Sequence, residues 1–174
     1  MVITKDLFSS SYFWLGVVLR ILCLAAFSSY AVNDWYYPFL DLTSKNISIN
    51  PWQVWLDSGG STDAFPYGYV MWLVFLPATY FFDLFNLVGP YAYYITIFIF
   101  DIFLCLTLFK LAPGKKDLVL KIYWLSPIII IASYALGLND LIPVLFLLVA
   151  FLFLKSNKFT LSSSMLVFAI SAKL

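Results

Sequence analysis

Residues 12–38 read YFWLGVVLRILCLAAFSSYAVNDWYYP. An apolar stretch of about the length of a bilayer span runs straight into Asn33-Asp34-Trp35-Tyr36-Tyr37-Pro38. That motif opens an acidic, aromatic segment, read as an outer loop over residues 33–68, holding Asp34, Asp41, Asp57 and Asp63 against a single Lys45. A carboxylate held just outside a bilayer beside tyrosines and tryptophans is a place for chemistry on a membrane-borne substrate. Asp34 follows the span directly, so its backbone is anchored at the membrane surface. Suitably placed, it can take a proton from a sugar hydroxyl; position alone favours a solvated loop acid.

The rest of the chain fixes the solvent. It is 63% hydrophobic, 21% aromatic and 11% charged, with mean hydropathy +0.95. Soluble domains carry about 25% charged residues, so an integral membrane protein is expected. There is no His and no Glu. That excludes imidazole bases, zinc clusters of the usual kind and a Ser-His-Asp triad. The net charge of +1 gives no ground for a nucleic-acid partner. Cys23 and Cys105 fall inside apolar runs and read as small buried hydrophobes. The loop aspartates could hold a divalent cation through oxygen, but they show no ligand spacing, so neither a metal site nor a cofactor is predicted.

Hydropathy predicts an all-α, polytopic helical protein with about five transmembrane helices, each near the usual span length. The candidates are Tyr12 to Val32, Pro90 to Lys110, Ile122 to Leu136, Leu141 to Leu154, and a last one starting near Phe159. The first is too long for the ~7–15-residue core of a signal peptide, so it reads as an anchor. Lysines set the sidedness. Lys110, Lys115, Lys116 and Lys121 share one short loop, Lys155 and Lys158 another, and Lys5 precedes the first span. The positive-inside rule puts all three on the cytoplasmic side. The N-terminus is then cytoplasmic and loop 33–68 outside. For that count to close, residues 69–87 do not cross. With Pro77, Asp83 and many aromatics, they read as an outer-face juxtamembrane or re-entrant helix. The whole of 1–174 is one transmembrane domain.

Two charges fall inside spans. Arg20 and Asp101 lie about 8 and 9 residues from the cytoplasmic ends of their helices, depths that differ by ~2 Å. Ionisable groups at such depth pair or face a cavity, so a structural ion pair is expected. Exchanging the charges should then rescue the loss caused by either single neutralisation. Gly137-Leu138-Asn139-Asp140 reads as a tight outer turn. Lys173 lies ~21 Å along the last helix from Phe159, at the outer side, where a lysine can meet a lipid phosphate.

This order of features resembles the N-terminal part of the GT-C superfamily, membrane glycosyltransferases that use polyprenyl-phosphate sugars. The resemblance rests on the first span followed by Asn33-Asp34-Trp35-Tyr36-Tyr37-Pro38 and on Phe65-Pro66-Tyr67-Gly68 opening a juxtamembrane helix that ends near Asn86-Leu87-Val88-Gly89. It rests also on a clean span with a lysine-rich end, and on Leu125-Ser126-Pro127 leading to Gly137-Leu138-Asn139-Asp140, as in the mannosyltransferase-like branch. The resemblance implies Asp34 as catalytic base in an inverting transfer. It also implies a polyprenyl-phosphate sugar donor, a glycan or lipid-linked acceptor, and membrane lipid as surroundings. Tyr36, Tyr37, Tyr67, Asn139, Asp140 and Lys173 are the candidate substrate-binding residues. Family members are longer, and this chain stops inside a helix at Ala172-Lys173-Leu174, so activity is expected when further spans complete it. The competing expectations are a transporter or flippase fragment, with Arg20, Asp101 and Asp140 lining a path, and a non-catalytic membrane subunit.

Overall fold

The computed structural model describes residues 7–87 and 89–173. Lys5, Val88 and Leu174, used in the sequence reading, lie outside the described residues. Within them the chain is helical and without strands. The helices are α1 (Ser11–Ala26), α2 (Ala31–Lys45), α3 (Pro51–Asp57), α4 (Tyr69–Leu84), α5 (Tyr91–Leu111), α6 (Lys116–Trp124), α7 (Pro127–Ala135), α8 (Leu141–Lys155) and α9 (Phe159–Ser171).

α5 alone is both long and apolar enough to cross a membrane as one helix among the described residues. Its 21 residues rise ~31 Å, close to the ~30 Å hydrocarbon core. The pairs α1–α2 and α6–α7 reach that length only together, and they bend by 74° and 50°. α4, α8 and α9 are shorter. By length and composition one helix meets the requirement for a crossing among the described residues, or up to three elements if each bent pair is a single span, so the expectation of five spans is not confirmed. The bends have local causes that a hydropathy window cannot register. At Phe27 the backbone becomes extended (φ −124°, ψ 142°), and Ser29 restarts the helix by accepting the Val32 N–H at 3.3 Å. The Ser29 hydroxyl also donates to the Leu136 carbonyl at 2.7 Å, fastening the bend to the end of α7. Pro38 has no N–H to return to the preceding turn, and the turns before it widen into a π-helix over Ala31–Tyr36. Ser126-Pro127 breaks α6 from α7 in the same manner.

The segment read as an outer loop is largely helical and packed. Asn50 caps α3 through the Gln53 N–H (3.2 Å), ahead of Pro51. The chain beyond α3 folds back because the Trp52 and Trp55 indoles donate to the Phe65 and Ser61 carbonyls at 3.1 and 2.8 Å. Phe65 then stacks on Phe39 at 4.7 Å, and Phe75 on Tyr93 at 4.6 Å. Such aromatic pairs contribute about 0.5–1.5 kcal/mol each beyond area burial. They outweigh the Asp41–Lys45 pair, which is partly solvated and of a kind worth about 0–1 kcal/mol. The aromatic layer joins α2, α4, α5, α7 and α8 in one core, while Phe13, Cys105, Phe109, Leu120 and Trp124 form a second, toward the lysine-rich end.

The two cores are tied by Arg20 and Asp101, which the structure brings together at 2.8 Å with side chains 1% and 0% exposed. Arg20 Nη1 donates to the Gly16 and Trp124 carbonyls, both at 2.9 Å. The guanidinium lies over the Trp124 ring at 3.7 Å. Asp101 also accepts the Tyr123 and Tyr134 hydroxyls at 2.6 and 2.8 Å. Gly16 is required by this arrangement, since a Cβ there would lie 2.2 Å from the Trp124 indole nitrogen.

This environment is asymmetric: carbonyls face the cation and hydroxyls face the anion. A charge exchange would point a carboxylate at two carbonyl oxygens. Arg20→Ala or Asp101→Asn alone should each destabilise by about 3–5 kcal/mol. The exchanged pair should not recover the loss, contrary to the sequence-level expectation, while the apolar double variant Arg20→Met/Asp101→Leu should be less damaging than either single change. Thermal unfolding of the four variants in detergent measures this order.

Candidate functional site

Five of the six candidate binding residues converge at the N-terminal end of α5. The convergence starts with Gly137, which follows α7 with φ +74°. A Cβ there would fall 2.2 Å from Val32 Cγ2 and 2.7 Å from Ser29 Oγ, so only glycine lets the 136–140 turn lie against the α1–α2 bend. Tyr93 of α5 locks the turn by donating to the Gly137 carbonyl at 2.6 Å. Asn139 is thereby wholly buried and Asp140 is left at the surface.

The α8–α9 hairpin reverses at Ser156–Lys158, with Asn157 at φ 56°, and returns Lys173 to the same end. Lys173 Nζ pairs with Asp140 Oδ1 at 2.8 Å and donates to Asn139 Oδ1 at 3.3 Å. It also stands over the Tyr67 ring at 5.0 Å. Tyr67 and Tyr36 share a hydrogen bond of 3.0 Å between their hydroxyls. Burial, and then the bond to Tyr67, push the Tyr36 phenol above its ordinary pKa, so it remains a neutral hydroxyl at physiological pH. The side chains of Lys173 and Asp140 are 39% and 60% exposed. The cluster is therefore a half-open polar site: one cation beside two phenols, an amide and a carboxylate. A lysine so placed can accept an anionic oxygen in exchange for its carboxylate partner.

Two predicted residues stand elsewhere. Tyr37 accepts the Gly89 N–H at 3.0 Å and so holds α2 to the start of α5. Asp34 sits on the exposed side of the π turn, and no hydrogen bond or ion pair engages it among the described residues. It is two residues before Tyr36, yet Asp34 is exposed where Tyr36 is buried. The structure does not bring Asp34 into contact with the cluster.

The remaining acids are dispersed. Asp41 holds Lys45, Asp57 accepts from Gln53 at 2.7 Å, and Asp83 accepts from the Ser44 hydroxyl. Among the described residues no group of three or more His, Cys, Asp or Glu converges on a metal position. Sequence reasoning missed Tyr93, Tyr123 and Tyr134, whose hydroxyls fasten the turn and the ion pair. In a chain with 12 tyrosines, interfacial belts are the default reading, and nothing local distinguishes these three.

Gly137→Ala should lower stability by about 1–3 kcal/mol, from overpacking and backbone strain together. Gly114→Ala, at φ +79° in open space, should cost about 1 kcal/mol. Chemical denaturation of the two variants side by side checks the difference. Compared with protein families, curated proteins and solved structures, the chain matches none.

Proposed function

We propose that the protein is a multi-pass membrane glycosyltransferase of GT-C type. It transfers a sugar from a polyprenyl-phosphate donor to an acceptor hydroxyl on the outer or luminal face. The observation that carries this reading is the gathering of Tyr36, Tyr67, Asn139, Asp140 and Lys173 from four separate parts of the chain into one half-open site. That site lies at the end of α5 opposite Lys110, and at the end of the α8–α9 hairpin opposite Lys155 and Lys158. This separation supports an outward-facing site with the lysine turns and the N-terminus on the cytoplasmic side. In this reading α2, α3 and α4 form the juxtamembrane layer of the outer face, and the remaining helices cross with help from tilted or bent ends.

The chemistry divides between two places. The Asp34 carboxylate takes the proton of the acceptor hydroxyl. The acceptor oxygen bonds to the anomeric carbon from the face opposite the phosphate. The bond from that carbon to the phosphate oxygen breaks, and polyprenyl phosphate leaves with the electron pair. Lys173 neutralises the charge that builds on the leaving phosphate, with Asn139 and the two phenols orienting it. Solvent exposure leaves the Asp34 oxygens unobstructed for a substrate. A transport path does not gain support: Arg20 and Asp101 are sealed from solvent and engaged with fixed partners, whereas Asp140 belongs to the Lys173 cluster.

The test is release of polyprenyl phosphate from a lipid-linked sugar by purified full-length protein in nanodiscs. Asp34→Asn should lower kcat by about 10²–10⁴-fold, and Lys173→Ala by about 10²–10³-fold. Asp57→Asn, on α3, should be silent. Wild-type turnover in Asp34→Asn removes that residue from the mechanism.

A further inference from the structure

The turn between α2 and α3 departs from its surroundings. Residues 33–68 carry four aspartates, yet no charge occurs from Asn46 to Leu56. Two isoleucines of this uncharged stretch stand at the surface, Ile47 and Ile49, the latter 92% exposed. A single exposed apolar side chain is ordinary; a pair held rigidly outward is not. Tyr69 Oη donates to the Ile49 carbonyl at 2.6 Å, and the Asn50 N–H donates to Ser48 Oγ at 3.3 Å. Asn46 Nδ2 donates back to the Leu42 carbonyl at 3.0 Å. The Trp52 ring meets Tyr69 edge-on at 4.7 Å, bracing the same corner. Lys45, next to the turn, is exposed and paired with Asp41.

The bond to Tyr69 joins the turn to a second apolar surface. Tyr69 opens α4, where Tyr69, Leu73, Pro77, Tyr80 and Leu84 recur every three or four residues as one exposed stripe. The only charge of α4, Asp83, is turned to the Ser44 hydroxyl, so the stripe carries none. An uncovered helix face of aliphatic and aromatic side chains is the kind that lies against lipid. Ile49 extends that face beyond the helix. The other exposed turn of the layer has the opposite character, with Asp57, Ser58, Ser61 and Asp63 at the surface. The height of the turn also fits. α2 bends by 74° from α1, so for α1 near the membrane normal its length of about 20 Å raises its far end by only about 6 Å. The turn follows directly, close to the level at which α1 ends.

We propose that the Ile47–Ile49 turn is a membrane wedge, inserted into the boundary between headgroups and acyl chains of the bilayer that α5 crosses. Its partner is the lipid surface itself. Apolar side chains of interfacial segments reach about 5–10 Å into that boundary, a depth that two isoleucines on a braced turn can occupy while Asn46 and Asn50 stay among the headgroups. The wedge requires a membrane around α5 and is independent of sugar transfer. Its consequence is mechanical. The α2–α4 layer is fastened to the bilayer at the α1–α2 bend and again at the wedge, so it lies along the surface instead of swinging free.

The experiment places an environment-sensitive NBD fluorophore on single cysteines of the full-length protein in phosphatidylcholine nanodiscs. Ile47→Cys and Ile49→Cys report the turn, Ser61→Cys reports water and Leu147→Cys, exposed on α8, reports lipid. The native cysteines are buried, and labelled wild-type protein supplies the blank. Emission from positions 47 and 49 should shift to shorter wavelength than from 61. It should be quenched by phosphatidylcholine carrying a doxyl group at carbon 5 of its acyl chain, and be shielded from aqueous iodide. Adding Ile49→Asp to the label at 47 should abolish the doxyl quenching and admit iodide; because Ile49 packs against nothing, that change leaves the fold intact. Iodide quenching at 47 and 49 equal to that at 61 overturns the wedge. Emission shifted to shorter wavelength but reached by neither doxyl lipid nor iodide shows a protein surface over the turn, further chain or a second copy, and overturns the lipid assignment.

Discussion

The contact between Arg20 and Asp101 sets the constraint on which the rest depends. A cation and an anion so deep in apolar surroundings are each costly alone. Their positions are therefore not free: α1 and α5 must meet at that level. The secondary bonds then recruit the other helices. Trp124 and Tyr123 bring in α6, and Tyr134 brings in α7. The ring of Trp124 also donates back to the Phe13 carbonyl at 2.9 Å, closing a loop of contacts around the guanidinium. A single ion pair thus specifies the mutual placement of four helices. Apolar packing alone specifies little between lipid-facing helices, because lipid tails are as apolar as leucine.

With that level fixed, the end of the bundle away from the lysine-rich turns follows. α1 ends a few residues beyond Arg20, and Ser29 ties its bend to the last carbonyls of α7. The 136–140 turn is pressed against the same bend, with Gly137 as the residue that permits it. Asn139 and Asp140 are consequences of that closure, and Lys173 reaches them because α8 and α9 are a short hairpin of nearly matched arms. The aromatic layer of α2–α4 completes the enclosure by delivering Tyr36 and Tyr67. Asp34 stays outside it, on the far side of the π turn.

Much of this was legible in the residues. The composition implied a helical membrane protein, and the similar depths of Arg20 and Asp101 implied their pairing. The count from Phe159 to Lys173 placed that lysine at the same end as Asn139 and Asp140. Helix continuity was not legible. Ser28-Ser29 and Ser126-Pro127 each divide an apolar run that hydropathy reads as one element. Nor was the folding of residues 33–68, because its order comes from indole-to-carbonyl bonds and ring stacking between residues far apart in sequence. Tyr37 and Tyr36 are adjacent and chemically identical, yet one binds a backbone amide and the other joins the site. Nothing in their spacing separates those roles.

Sidedness is the claim on which the account stands, and cysteine accessibility tests it most directly. The native Cys23 and Cys105 are buried, so single cysteines at Ser61 and Lys115 can be read alone with a membrane-impermeant maleimide on sealed vesicles. The account predicts labelling of Ser61→Cys from the outer face only, and of Lys115→Cys only after the vesicles are opened. Labelling of both from one face would contradict it.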